Sequence, residues 1–269
     1  MFPSPEKITS AQNPKIKKLL ALQKDSSLRR ETSLFVVEGR RELGHCLGAG
    51  FEAEAVFICP SLAGGAPLPP EVRDASIFEV SEELYGRIAY RGGTEGAIAE
   101  IRERKLRLED LKLPENPLIA VLESVEKPGN IGAVLRSADA AGADAVLVCD
   151  PLTDLYNPNL IRASLGAVFT VPCVRCSTTE AIDWLRKSGI SILTAQLQDS
   201  SPYYDRDMTG GTAIVAGTES TGLSEEWRRA ASGHIRIPMR GRLDSLNVSV
   251  STAILLYEAV RQRQAAGII

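Results

Sequence analysis

Ser245-Leu246-Asn247-Val248-Ser249-Val250 is the stretch on which the reading of this chain turns. Small polar residues alternate there with apolar ones. An apolar run at helical spacing follows (Ala253, Ile254, Leu256, Tyr257, Val260), and Ile237-Pro238-Met239 comes shortly before. Bulky residues would make an ordinary strand-to-helix turn. Ser245 and Asn247 instead put a hydroxyl and an amide at a helix entrance, where backbone N–H groups lack partners. Such an entrance can hold a polar ligand.

Two upstream segments make the same kind of turn. Lys127-Pro128-Gly129-Asn130-Ile131-Gly132 follows an apolar strand at 118–122, with Arg136 in the helix behind it. Asn130 is placed as the N-cap of that helix. Gly217-Thr218-Glu219-Ser220-Thr221-Gly222 follows a strand at 213–216. It is not a Walker loop, because Leu223-Ser224 stands where Lys-Ser/Thr would be needed, and it lacks the three spaced glycines of a dinucleotide fingerprint. Two glycines let backbone approach a ligand closely. Glu219 disfavours a phosphate and suits a cationic ligand. In open parallel sheets, ligands bind beyond the carboxyl ends of the strands, where all three turns fall. Each has a plain alternative: a cap, a solvated arginine, a simple turn. Their shared placement is what argues for a site.

Outward from these turns, strands alternate with helices. The pattern predicts strands at 118–122, 145–149, 190–195, 213–216 and 235–237. Helices are expected at 131–141, 158–168 and 224–230, with a capping box at Ser177 and Glu180 opening another. This is a parallel α/β domain over 118–269. Residues 105–117, charged and ending in Pro114 and Pro117, read as a linker. Residues 1–104 form a smaller α/β unit with strands at 34–37, 55–59, 77–80 and 96–101.

The 269 residues carry a net charge of −3, 44% apolar and 24% charged side chains, as an ordinary globular protein does. No long apolar run suggests a membrane span and no leader pattern opens the chain, which points to the cytoplasm. Five cysteines at irregular spacing argue against a disulfide framework. Cys173-Val174-Arg175-Cys176 has zinc-like spacing but no second pair and no neighbouring histidine, so no metal is expected. Residues 1–42 hold nine Lys/Arg against five Asp/Glu. Lys15, Lys17, Lys18, Lys24, Arg29, Arg30, Arg40 and Arg41 are candidates for a phosphate-facing, RNA-binding patch. A solvated helix face is the alternative.

Asn130-x5-Arg136, Gly217-Thr218-Glu219-x-x-Gly222, and Ile237-Pro238-Met239 with Ser245-Leu246-Asn247-Val248-Ser249 resemble the three ordered motifs of the SpoU (TrmH-type) RNA ribose 2′-O-methyltransferases. Phe35-Val36-Val37-Glu38-Gly39 resembles the substrate-binding domain of the same family. Ser220 stands where many members have glycine. The resemblance implies an S-adenosylmethionine-dependent enzyme with a trefoil-knotted α/β methyltransferase domain, an N-terminal α/β RNA-binding domain, and a homodimeric state. It assigns cofactor contacts to Gly217, Ile237 and Leu246, with Thr194, Met239 and Ser245 beside them. It makes Asn130, Arg136, Glu219, Ser245 and Asn247 the catalytic set.

A ribose hydroxyl attacking a sulfonium methyl must lose a proton. The chain has two histidines, His45 and His234, and neither matches a catalytic motif position. Lowering a free guanidinium's pKa to neutrality costs ~7 kcal/mol. Arg136 is therefore expected to orient the hydroxyl and a neighbouring phosphate rather than to act as a free base. Ribosomal RNA is the expected substrate. Transfer RNA, and a catalytically silent RNA-binding or ribosome assembly factor, are the alternatives.

Overall fold

The computed structural model describes residues 5–65, 67–90, 95–218 and 222–269. In chain order its main elements begin with β1 (Glu6–Ile8), α1 (Pro14–Lys24), α2 (Ser26–Thr32), β2 (Leu34–Glu38) and α3 (Arg40–Gly48). There follow β3 (Ala53–Ile58), β4 (Ser76–Val80), α4 (Glu82–Ile88) and β5 (Ala97–Arg102). The second alternation runs β6 (Leu118–Glu123), α5 (Pro128–Ala140), β7 (Ala145–Cys149), α6 (Pro158–Ser164), α7 (Ala167–Thr170), β8 (Cys173–Cys176), α8 (Thr178–Lys187) and β9 (Ser191–Ala195). It closes with β10 (Ser201–Pro202), β11 (Thr212–Ala216), α9 (Glu225–Ala230), β12 (Gly233–Arg236) and α10 (Val248–Ala265).

The chain forms two compact units. The first comprises Met1–Arg104 together with Asp154–Thr170; the second comprises Lys105–Thr153 and Val171–Ile269. The segment Asp154–Thr170, read as part of the second domain, belongs with the first unit. Its aromatic residues explain this. Tyr156 stacks on Phe35 at 4.1 Å between ring centroids, and Phe169 lies 5.9 Å from the same ring. The helix expected at 158–168 is broken at Leu165 and Gly166, both at positive φ.

In the first unit the five-stranded sheet has the order β1-β4-β3-β5-β2 and mixed direction, with β5 antiparallel to both neighbours. Ile16, Leu19 and Leu22 of α1 recur at helical spacing and are fully buried. Asn13 caps α1 by accepting the Lys15 N–H, and Pro14 starts it.

Among the described residues the second unit's sheet has seven strands, all parallel, in the order β10-β12-β9-β11-β6-β7-β8. Its inner strands are apolar but for Thr212 at the start of β11 and Glu123 at the end of β6, as burial on both faces requires. Ile119, Val121, Leu147 and Val215 meet Ala181 and Leu185 of α8 and Trp227 of α9 on one face. Helices α5 and α10 pack together on the other, with α10 also against β6 and β11. The expected capping box forms: Ser177 Oγ accepts the Glu180 N–H and the Glu180 carboxylate accepts the Ser177 N–H. Cys173 to Cys176, read first for zinc-like spacing, is the edge strand β8. The stretch 105–117 is not a free linker, since Leu108 is buried in this core and Leu106, Leu111 and Leu113 pack against it.

Arg263 secures the far end of α10. It is 5% exposed, and its guanidinium donates to the backbone carbonyls of Met208, Asn116, Pro117 and Gly210 at 2.8–3.1 Å. Fixing α10 at that end fixes where its first residue, and hence Asn247, stands. No helix among the described residues is long and apolar enough to cross a membrane.

Candidate active site

Strands β12, β9 and β11 are neighbours in the sheet, so the loops leaving their carboxyl ends are neighbours too. These loops, with the start of α10, enclose a cavity of about 330 Å³. Such a volume suits a small molecule. The loop after β11 contributes Gly217, Thr218 and Gly222; the chain after β12 contributes Ile237, Met239, Ser245 and Leu246.

The β11 loop is closed tightly at its base. Gly222 N–H donates to the Thr218 carbonyl at 3.1 Å, and the two residues form an isolated antiparallel bridge. A Cβ on Gly217 would lie 2.6 Å from the Gly222 carbonyl oxygen. Only glycine fits there. Glu219, Ser220 and Thr221, between these two glycines, lie outside the described residues.

Asn247 is the N-cap of α10. Its Oδ1 accepts the Ser249 N–H at 3.0 Å and the Ser249 hydroxyl at 2.6 Å. Its Nδ2 donates to Asn130 Oδ1 at 3.2 Å, across 117 residues of sequence. Two of the three motif segments therefore touch. Asn130 is not the N-cap expected of it. Lys127 holds that position and Pro128 opens the helix, which puts Asn130 within the first turn, where its Oδ1 accepts from the cap of α10. Arg136, further along α5, is exposed and makes no hydrogen bond or ion pair among the described residues. Ser245 lines the cavity and donates to Asp244 Oδ1 at 3.3 Å.

Of the expected cofactor contacts, Gly217, Ile237, Met239, Ser245 and Leu246 line the cavity. Thr194 does not. It is fully buried on β9, and its hydroxyl lies 2.7 Å from His234 Nδ1 on β12. This pair joins β9 to β12 and gives His234 a structural partner.

Sequence reasoning missed Gln196, Arg228 and Asp244, which also line the cavity. Gln196 Oε1 and Arg228 Nε are buried without a hydrogen-bond partner among the described residues. Buried polar atoms are seldom left unpaired, so a polar ligand fits this cavity. The signal for Gln196 was its place just past the end of β9; the other two had none.

The N-terminal basic set is largely spoken for. Lys15 Nζ pairs with Glu6 at 2.6 Å, Lys18 with Glu100 at 2.6 Å, and Arg41 with Glu42 at 2.5 Å. Arg40 donates to the Pro67 carbonyl and Arg30 to Ser27 Oγ. Arg29 was misassigned to the RNA surface. It is 5% exposed, pairs with Asp154 at 2.5 Å and donates to the Leu22 carbonyl at 2.6 Å. Its partner lies 125 residues away, beyond the reach of a local charge count. Lys17 is exposed on α1.

The profile of the SpoU rRNA Methylase family matches residues 117–257, and that of the MRM3-like substrate binding domain matches residues 13–99. The chain is 28% identical to the 23S rRNA (guanosine(2553)-2'-O)-methyltransferase RlmP of Bacillus subtilis, over 94% of this chain and 98% of that protein. The crystal structure of an RNA 2'-O ribose methyltransferase superposes with a TM-score of 0.80 at 40% identity, covering 96% of this chain and 99% of that one. The AdoMet-bound rRNA methyltransferase from Sinorhizobium meliloti superposes with a TM-score of 0.87 at 31% identity, covering 95% and 97%. Two motif segments line one cavity, the third is hydrogen-bonded to them through Asn130, and the family matches span both units: the chain belongs to the SpoU rRNA methylase family.

Proposed function

We propose that this protein transfers a methyl group from S-adenosylmethionine to a ribose 2′-hydroxyl of ribosomal RNA. One observation carries the reading: loops from β11 and β12 close a small cavity beside the Asn130–Asn247 hydrogen bond. When bound, S-adenosylmethionine supplies an electrophilic methyl on a positively charged sulfur. Backbone at Gly217, Ile237 and Leu246 would hold it, with Met239 and Ser245 alongside. Among the described lining residues Asp244 is the one carboxylate and would face the sulfonium, while Arg228 and Arg236 would suit the cofactor's own carboxylate.

The remaining work is positioning. Asn247 is fixed as a helix cap and Asn130 is fixed by Asn247, so the pair forms a rigid platform at the cavity's edge. Alignment of this kind supplies roughly 7–11 kcal/mol when the geometry is tight. Arg136 is free to take an RNA phosphate and orient the attacking hydroxyl, whose proton passes to solvent water as the methyl is transferred. Glu219 joins this set by its motif position. The reading includes a trefoil-threaded second unit, action as a homodimer in the cytoplasm, and RNA binding by the first unit.

The test is incubation of the purified protein with labelled S-adenosylmethionine and ribosomal RNA from a strain lacking the gene. Label should appear in one rRNA nucleoside resistant to alkaline cleavage on its 3′ side. Intact RNA binding with no cofactor binding by calorimetry would instead establish a silent RNA-binding factor. Label in transfer RNA alone would move the substrate class.

A further inference from the structure

Glu123 belongs to none of the three motifs, yet it joins two of them. It is the last residue of β6, so the segment leading to Asn130 starts at the next residue. Its side chain turns inward and is 6% exposed. Oε2 accepts the Ser224 N–H at 2.8 Å, and Oε1 accepts the Thr178 hydroxyl at 3.2 Å. No lysine or arginine pairs with it among the described residues.

A buried carboxylate without a cation is costly, and hydrogen-bond donors must offset that cost. The donors chosen here are informative. Ser224 follows directly on the cavity loop: Gly222 lines the cavity, Leu223 is buried, and Ser224 opens α9. The Ser224 hydroxyl makes no capping bond of its own. The loop's exit is therefore pinned through one backbone N–H. The β6–β11 ladder ends at Leu122 opposite Ala216, one residue before Gly217. Glu123 thus replaces the next rung, gripping the far side of the loop where pairing with the near side has ended.

We infer that Glu123 is a positioning residue for methyl transfer, holding the Gly217–Gly222 loop in cofactor-binding geometry through the Ser224 N–H. The inference rests on the methyltransferase reading above. Loss of the anchor lets Thr218 and Gly222 shift together, because they are paired with each other. Cofactor affinity is then what suffers.

Four variants test this by titration calorimetry with S-adenosylmethionine, alongside melting temperature and amide hydrogen exchange. Glu123→Ala should weaken cofactor binding about tenfold, the loss expected for a hydrogen bond to a charged group. Glu123→Gln keeps an acceptor for Ser224 and can donate to Thr178, so it should bind within about threefold of the wild type. Thr178→Val removes only the other arm and should bind as the wild type does. Ser224→Pro deletes the N–H while the residue's φ of −63° suits proline, so it should match Glu123→Ala even if that variant folds poorly. Exchange at residues 217–224 should quicken in the two weak binders. The inference is overturned if Glu123→Ala or Ser224→Pro binds cofactor normally, or if Glu123→Gln fails to restore binding at normal melting temperature. Failure of the wild type to bind cofactor would instead defeat the methyltransferase reading, while the exchange data would still report on the anchor.

Discussion

In the first unit charged side chains meet each other; in the second, polar side chains gather at a cavity and some stay unmet. Lys15, Lys18, Arg29 and Arg41 each find a carboxylate at 2.5–2.6 Å. Gln196 and Arg228, by contrast, bury polar atoms with no protein partner among the described residues. Both units alternate strands with helices, so alternation alone does not produce a site. The difference lies in sheet direction. A parallel sheet sends its carboxyl-end loops to one edge, where β12, β9 and β11 lie side by side. The mixed sheet of the first unit sends its loops to both edges.

The comparison is tested most strongly at Arg29. If its role is internal, Arg29→Ala should destabilise the protein by ~3–5 kcal/mol, since it leaves Asp154 buried and unpaired. Urea denaturation measures this, and Asp154→Ala in the same background should add little. A stable variant with weakened RNA binding would return Arg29 to the RNA surface.

The next largest effect belongs to Asn247. Asn247→Asp keeps an acceptor for Ser249 but loses the donor to Asn130. Activity should fall ~100-fold, as small misplacements at a reacting centre do, with the melting temperature nearly unchanged. Asn247→Ala should lose similar activity and also ~1 kcal/mol of stability with the cap. Equal activity for the Asn247→Asp variant and the wild-type enzyme would remove the asparagine pair from the mechanism.

These two residues also mark what could be read from sequence. The second unit's strands, its capping box and the motif loops were legible because their signals are local: apolar runs, Ser-x-x-Glu, glycines flanking small polar residues. The cavity residues Gly217, Ile237, Met239, Ser245 and Leu246 came with the motifs. Arg29 was misread because its partner is 125 residues distant. Asn130 looked like a cap because asparagine near a helix start usually is one; its actual partner comes from α10. Strand β8 was obscured by its two cysteines, and the leucines of 105–113 by the charges among them. Arg228 and Asp244 gave no signal, since nothing local distinguishes a cavity-facing charge from a solvated one.

Glu100 offers a test by pH. Burial raises its carboxyl pKa above the ordinary value, and the nearby Lys18 ammonium offsets this only in part. A carboxyl raised in the folded state favours folding below its unfolded pKa, and that contribution is lost as pH rises through the folded value. Glu100→Gln removes the titration. Its melting temperature relative to wild type should therefore climb between acidic and neutral pH. A constant offset would mean that the Lys18 pair fully compensates burial.

The smallest effect is expected at Lys17, and it asks whether the first unit's surface contributes to RNA binding at all. Its neighbours Lys15 and Lys18 are held by Glu6 and Glu100, whereas Lys17 is exposed between them on α1. If it touches a phosphate, Lys17→Glu should weaken RNA binding a few-fold at low salt and lower the slope of log affinity against log salt by about one. Lys18→Met should change the slope less, because that ammonium is already neutralised by Glu100. Filter binding across a salt series reads both. Equal slopes for wild type and Lys17→Glu would show that α1 faces away from RNA, leaving the unit's ion pairs with a purely structural role and confining recognition to other surfaces.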